Sequence, residues 1–233
     1  MTDYDLNLDG FEIESAVLNT EGVNFLRHAI ANVQTTEAVR TKRDVYAIRN
    51  LLHLAPDIAA FARSSKIQKL AESALGSGAM AVRATLFDKT PDANWLVPWH
   101  QDLTICVQER IETPGFGPWT LKAGVHHVQP PMAYLEQMVA IRVHLDDCDE
   151  HNGALRVLPG SHRLGRLSPD QIEQIKSQTE VFTCAAKCGV AVLMKPLLLH
   201  ASAPALRPAH RRVVHIEFAS AELPHGLRWL GAP

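Results

Sequence analysis

No charge of one sign dominates the 233 residues: 23 lysines and arginines stand against 25 aspartates and glutamates, a formal net charge of −2. That balance leaves no electrostatic footprint for a nucleic-acid backbone, and no basic run favours an anionic membrane surface. Long apolar runs are lacking too, and the longest fall far short of the ~20 residues a membrane-crossing helix needs. The chain opens MTDYDLNLDG, acidic and polar, without the basic-then-apolar pattern of a secretory leader, so a cytoplasmic location is expected. Cysteine is sparse. Cys106, Cys148, Cys184 and Cys188 are scattered, and Cys184 and Cys188 have no second Cys/His pair at finger-like spacing. Reduced, packed thiols are expected in place of a disulfide frame or a structural zinc site. Internal repeats and low-complexity linkers are also missing. What remains is an ordinary enzyme-like composition, 46% hydrophobic and 21% charged, long enough to bury a sizeable core.

Residues 1–20 read as a polar, partly ordered arm. Val23, Leu26, Ile30 and Val33 then recur at helical spacing, and a turn is expected over residues 41–44. Pro56 suits the first turn of a helix carrying Ile58, Phe61 and Ala62. A further helix is expected from Ser65 to Leu75, stopped by Gly76-Ser77-Gly78. The character changes at Ala79. Short strands punctuated by turns are expected over 81–87, 99–107, 139–145, 154–158, 181–186, 190–194, 197–200 and 211–220, with a brief helix over 169–177. Residues 109–134 read as one long loop, and a connection of that length in a compact domain is usually a lid or binding loop. The chain therefore divides into a helical cover (1–78), a strand-rich core (79–220) and a tail (221–233) within a single domain. Mainly β with an α cover, as a sandwich or open barrel, is the fold class this order implies.

The chemistry centres on Pro98-Trp99-His100-Gln101-Asp102. A histidine and an aspartate spaced i, i+2 on an extended segment project to the same side. With a second imidazole such as His200 they make a facial triad, which leaves the opposite metal positions open. If the strands flanking the loop after His200 paired antiparallel around it, Arg211 would come to lie opposite His200. Its planar fork is suited to gripping a carboxylate in a bidentate pair, with Ser202 in the same corner. Arg211, Val213, His215 and Glu217 share one face of the last strand, and the more polar face should line the pocket. Arg142 and His144 share one face of the 139–145 strand. Trp95, Trp99, Gln101, Trp119 and His127 are candidate substrate contacts, and His126 is open between substrate contact and exposed loop.

His100-x-Asp102, Asn152-Gly153-x-Leu155-x-Val157-x-Pro159-Gly160-Ser161-His162, His200-x-Ser202 and Arg211 together resemble the phytanoyl-CoA dioxygenase family in order and spacing. The resemblance covers roughly residues 80–220. It implies a double-stranded β-helix (a jelly-roll or cupin-like fold) packed against N-terminal helices. It also implies an Fe(II)- and 2-oxoglutarate-dependent dioxygenase that uses O2 to hydroxylate a small organic molecule. By resemblance His100, Asp102 and His200 ligate the iron, while Arg211 and Ser202 hold the distal carboxylate of 2-oxoglutarate. Arg142 falls where the family often carries a bulky pocket-lining residue and is grouped with the cosubstrate contacts. Gly189-Val190 and His200-Ala201-Ser202 depart from the family's usual Gly-Asp and His-Gly-Ser, and neither departure touches a ligand. Asp102 retains the carboxylate that halogenating members replace. Two readings from other classes are a cupin-like barrel that binds a metal or ligand without turnover, and a zinc hydrolase built on the same triad. Arg211 discriminates against the first, which needs no carboxylate clamp; the second would be active without oxygen, and no general-base Glu sits at a telling spacing for it.

Overall fold

The computed structural model describes residues 4–34, 38–41 and 45–232, and the turn expected over 41–44 falls largely outside them. The chain begins with strand β1 (Phe11–Glu14), helix α1 (Thr20–Ala31), β2 (Val39–Thr41) and β3 (Val45–Ile48). Helices α2 (Leu51–Leu54), α3 (Pro56–Ala62) and α4 (Ser65–Leu75) follow, then β4 (Met80–Lys89), β5 (Val97–His100) and β6 (Ile105–Val107). Next come β7 (Trp119–Lys122), β8 (Val125–Val128), α5 (Met132–Glu136), β9 (Met138–His144) and β10 (Leu155–Val157). The chain ends with α6 (Pro169–Gln178), β11 (Phe182–Cys184), β12 (Ala191–Met194), β13 (His200–Ser202) and β14 (Arg211–Ala219). None of the described helices is long and apolar enough to cross a membrane.

Two sheets face each other in the double-stranded β-helix arrangement. The major sheet runs β1-β12-β9-β14-β4-β3-β2, the minor sheet β11-β10-β13-β5, and β6-β8-β7 form a third, smaller sheet. The period-two pattern of the central strands explains why two layers form. Val139, Ile141 and Val143 of β9, and Val214, Ile216 and Phe218 of β14, turn outward into one core with Leu26, Ile58 and Ile67 of the helices. The inner faces meet in a second cluster of Phe11, Ala140, Val192 and Met194 against Leu155, Val157 and Leu198. Beyond that cluster the inner face becomes polar. There β4, β9 and β14 turn Arg83, Thr85, Arg142, Arg211, His215 and Glu217 toward the minor sheet.

Several expectations need correction. Residues 1–20 are not a loose arm, since β1 pairs antiparallel with β12 and Phe11 is fully buried. The 109–134 loop contains β7, β8 and the start of α5. The tail is packed: Trp229 is buried, bridges to Val107 and donates from its indole nitrogen to Ala221 O at 2.8 Å. The strand expected over 99–107 breaks in two, with β5 in the minor sheet, β6 in the third sheet and Asp102 in the loop between them. Most consequentially, β13 and β14 do not pair. β13 lies between β10 and β5, and β14 between β9 and β4, in different sheets. Two prolines in the connecting segment 203–210 leave backbone amides missing, and the chain crosses between layers there. Asn94 fastens the crossing, donating to Ala205 O at 2.8 Å and accepting from Ala205 N at 2.6 Å.

Candidate metal and anion site

A cavity of about 220 Å³ lies between the sheets, with His100, Asp102 and His200 on one side. His100 ends β5 and His200 begins β13, and the two are directly paired in register. Their rings lie 4.1 Å apart between centroids. Asp102 Oδ1 stands 3.7 Å from His100 Nε2, and its Oδ2 stands 3.7 Å from His200 Nε2. One ligand atom from each residue falls within 4.8 Å of the other two. Both rings are oriented through their far nitrogens: His100 Nδ1 lies 2.8 Å from Pro98 O, and His200 Nδ1 lies 2.9 Å from Leu198 O. A carbonyl accepts only from a protonated Nδ1, so both Nε2 lone pairs point at the shared space. Burial drives the His200 imidazole pKa down despite Asp102, which favours the neutral ring a metal needs. For Asp102 burial acts upward, but His200, His215, His100 and Arg83 outweigh it and hold the carboxyl below its ordinary value. Two imidazoles and one carboxylate facing a cavity are a donor set that fits Fe(II).

The loop carrying Asp102 is held by Gln101. Its side-chain nitrogen donates to Gly165 O at 2.8 Å and to Leu197 O at 2.7 Å, and its oxygen accepts from Leu167 N at 2.9 Å. Asp102 N donates to Pro196 O at 2.9 Å. Gln101 therefore faces away from the cavity and fixes the segment between His100 and Asp102, contrary to the expected substrate contact.

Arg211, buried at 3% exposure, enters from the major sheet. Its Nη1 donates to Gly153 O at 2.6 Å and its backbone nitrogen to Asp88 Oδ1 at 2.9 Å. Ser202 Oγ donates to the same Gly153 oxygen at 2.8 Å and accepts from Lys89 Nζ at 2.7 Å. Lys89 is itself fully buried and also donates to Ala203 O. Among the described residues neither Lys89 nor Arg211 has a carboxylate within ion-pair distance of its charged group, and Arg211 Nε is buried without a partner. Burial lowers both, the ammonium of Lys89 to about 8 with Arg211 adding to the effect. Two buried cations without a direct ion-pair partner, beside a hydroxyl, make a site suited to an anion.

Other expected contacts fall elsewhere. Trp99 lies outside the cavity under the Arg156 guanidinium, 5.5 Å from ring centroid to Cζ. Trp119 sits in the third sheet beside Arg110 at 5.6 Å. His126 and His127 lie on β8, and His127 is buried with Nδ1 3.4 Å from Cys106 Sγ. Burial lowers that imidazole to about 4 and raises the Cys106 thiol to about 12, so the pair is inert packing. Trp95 does line the cavity, with Lys89 Nζ 5.7 Å from its ring centroid. Lys89 and Arg83 were missed. The alternation Arg83-x-Thr85-x-Phe87-x-Lys89 against Val82, Ala84 and Leu86 carries the signal: the four share one face of β4, the first three line the cavity and Lys89 reaches Ser202 at its edge.

The profile of the phytanoyl-CoA dioxygenase (PhyH) family matches residues 9–213, and the chain belongs to that family. Similar solved structures share its fold at low identity. The crystal structure of AviO1 from Streptomyces viridochromogenes Tue57 is 21% identical, with 94% of each chain covered and a TM-score of 0.69. That of EctD from S. alaskensis, with 2-oxoglutarate and 5-hydroxyectoine, is 18% identical over 92% of this chain and 73% of that one, with a TM-score of 0.73. That of the epimerase SnoN, in complex with Fe3+, alpha ketoglutarate and nogalamycin RO, is 16% identical over 95% and 88%, with a TM-score of 0.66. No curated protein sequence matches the chain.

Proposed function

We propose that this protein is an Fe(II)- and 2-oxoglutarate-dependent dioxygenase that hydroxylates a C–H bond of a small organic substrate. One observation carries the reading: a convergent His-Asp-His triad shares a cavity with a buried Arg211, adjoined by Lys89, and among the described residues neither cation has a carboxylate within ion-pair distance of its charged group. His100, Asp102 and His200 would hold the metal, and Arg211 and Ser202, joined by Lys89, would hold the distal carboxylate of the keto acid. Iron, keto acid and O2 together supply oxidative decarboxylation to succinate and CO2, coupled to oxidation of the substrate. The chain's own residues orient and enclose. Gln101 fixes the ligand loop, Gly153 O aims both Arg211 and Ser202, and the apolar walls Phe87, Val97 and Leu155 exclude water. A metal-binding barrel without turnover, or a zinc hydrolase, would leave the anion site without a purpose. Iron and keto acid in solved structures of EctD and SnoN support the reading by likeness of fold.

Anaerobic titration of the metal-free protein with Fe(II) and 2-oxoglutarate tests it. A weak visible charge-transfer band is expected when the keto acid chelates the metal. In Arg211→Ala the band should need at least about tenfold more keto acid, the loss of roughly one charge-assisted bidentate pair. Normal iron binding without a band would sink the proposal.

A further inference from the structure

The charges around the cavity do not balance even when the site is loaded as proposed. Of the residues lining the cavity, Arg83, Arg142 and Arg211 face two carboxylates, Asp102 and Glu217, which leaves a surplus of one positive charge; the flanking Lys89 and the buried Asp88 beside Arg211 offset each other. A divalent metal and a doubly negative keto acid cancel each other, so the surplus persists after both have bound.

The surplus can be located. Arg83 is answered by Glu217, Nη1 to Oε1 at 3.0 Å. Asp102 is committed to the metal, and Arg211 and Lys89 to the far end of the keto acid. Arg142 is left. The strand register sets it beside His215, four residues along β14 from Arg211, and both line the cavity with Asp102. Its Nη1 donates to His215 Nδ1 at 3.0 Å, and His215 Nε2 stands 3.6 Å from Glu217 Oε1. That chain fixes the guanidinium from behind and uses only one of its donors. Arg142 is 7% exposed, its Nε is buried without a partner, and no described carboxylate lies within ion-pair distance. Burial and the nearby Arg211 lower it to about 10. A buried, half-satisfied guanidinium is costly until an anion arrives. The Phe87 ring centroid, 6.0 Å from its Cζ, adds an apolar wall to the same space.

We propose that the primary substrate is a small organic acid whose carboxylate is received by Arg142, held in place by His215, beside the metal triad. This rests on the dioxygenase reading and moves Arg142 from the cosubstrate contacts, with which it was grouped above, to a substrate-binding role.

The test uses the full chain saturated with Fe(II) and 2-oxoglutarate without oxygen. Butyrate, hexanoate and 3-phenylpropionate are each titrated against the corresponding primary amide, read by perturbation of the charge-transfer band and by calorimetry. At least one acid should perturb the band and bind more than about tenfold tighter than its amide, as a charge-assisted contact in a buried site implies. Arg142→Gln should keep the band and lose the preference, and Arg142→Lys should recover part of it. Equal binding of acids and amides, a preference that survives Arg142→Gln, or loss of the band in that variant would overturn the proposal, and so would acids that displace the keto acid. The wild-type comparison decides without any variant. Absence of the band in wild type overturns the dioxygenase reading and this one together, whereas a band that no acid perturbs overturns this one alone.

Discussion

The carbonyl oxygen of Gly153 accepts from Arg211 Nη1 and from Ser202 Oγ, so two groups of the anion site take their direction from one backbone atom. Gly153 has φ +80°, and a Cβ there would come 2.8 Å from Ala203 O and 3.0 Å from Lys89 Nζ. Gly153→Ala should therefore weaken 2-oxoglutarate binding by about tenfold and cost about 1–3 kcal/mol of stability, measured by calorimetry and by urea unfolding. The grouping of His100, Asp102 and His200 was legible in the sequence because His100-x-Asp102 is a local spacing, and the Asn152–His162 segment and Arg211 constrained which distant histidine joins it. Gln101 was misread because a polar side chain between two triad residues can face the site or away from it. The choice was made by carbonyls of Gly165 and Leu197, far away in the chain.

Elements were legible where one period dominates. The helix expected from Ser65 to Leu75 has those bounds, and the polar face of β14 does line the cavity. Pairing was not legible, because period two fixes which face a residue takes and says nothing of which strand lies beside it. The join between α1 and the major sheet illustrates an interaction of this long-range kind. Asp146, just past β9, accepts from Arg212 Nε, Nη2 and backbone nitrogen at 2.8 Å each, and from Arg27 Nη2 of α1 at 2.7 Å. Burial raises the Asp146 carboxyl, but these partners outweigh it and leave it below its ordinary value. A lowered native pKa means stability present above the unfolded value of about 4 and lost as pH falls through the folded one. Asp146→Asn should thus be less stable than wild type by about 2 kcal/mol near pH 7. The difference should shrink as urea unfolding is repeated from pH 5 toward pH 2.

At the scale of the molecule, the helical cover over a strand-rich core was legible from the order of the segments. The ordered ends were not, because β1 and Trp229 are short elements whose burial depends on β12 and β6. The four thiols differ in the same global way: Cys106, Cys148 and Cys184 are buried and Cys188 is exposed. A mild alkylating reagent should modify one thiol in the native state and four after denaturation, as mass spectrometry would count them. The crossing of residues 203–210 between layers has a mechanical meaning. The triad hangs from the minor sheet and its flanking loop, while Arg211 and Lys89 belong to the major sheet. A keto acid chelated at one end and clamped at the other would act as a removable crosslink between the two halves of the sandwich. Heat should report the tether: iron and 2-oxoglutarate together should raise the melting temperature by more than their separate effects combined, because each fastens the end the other leaves loose.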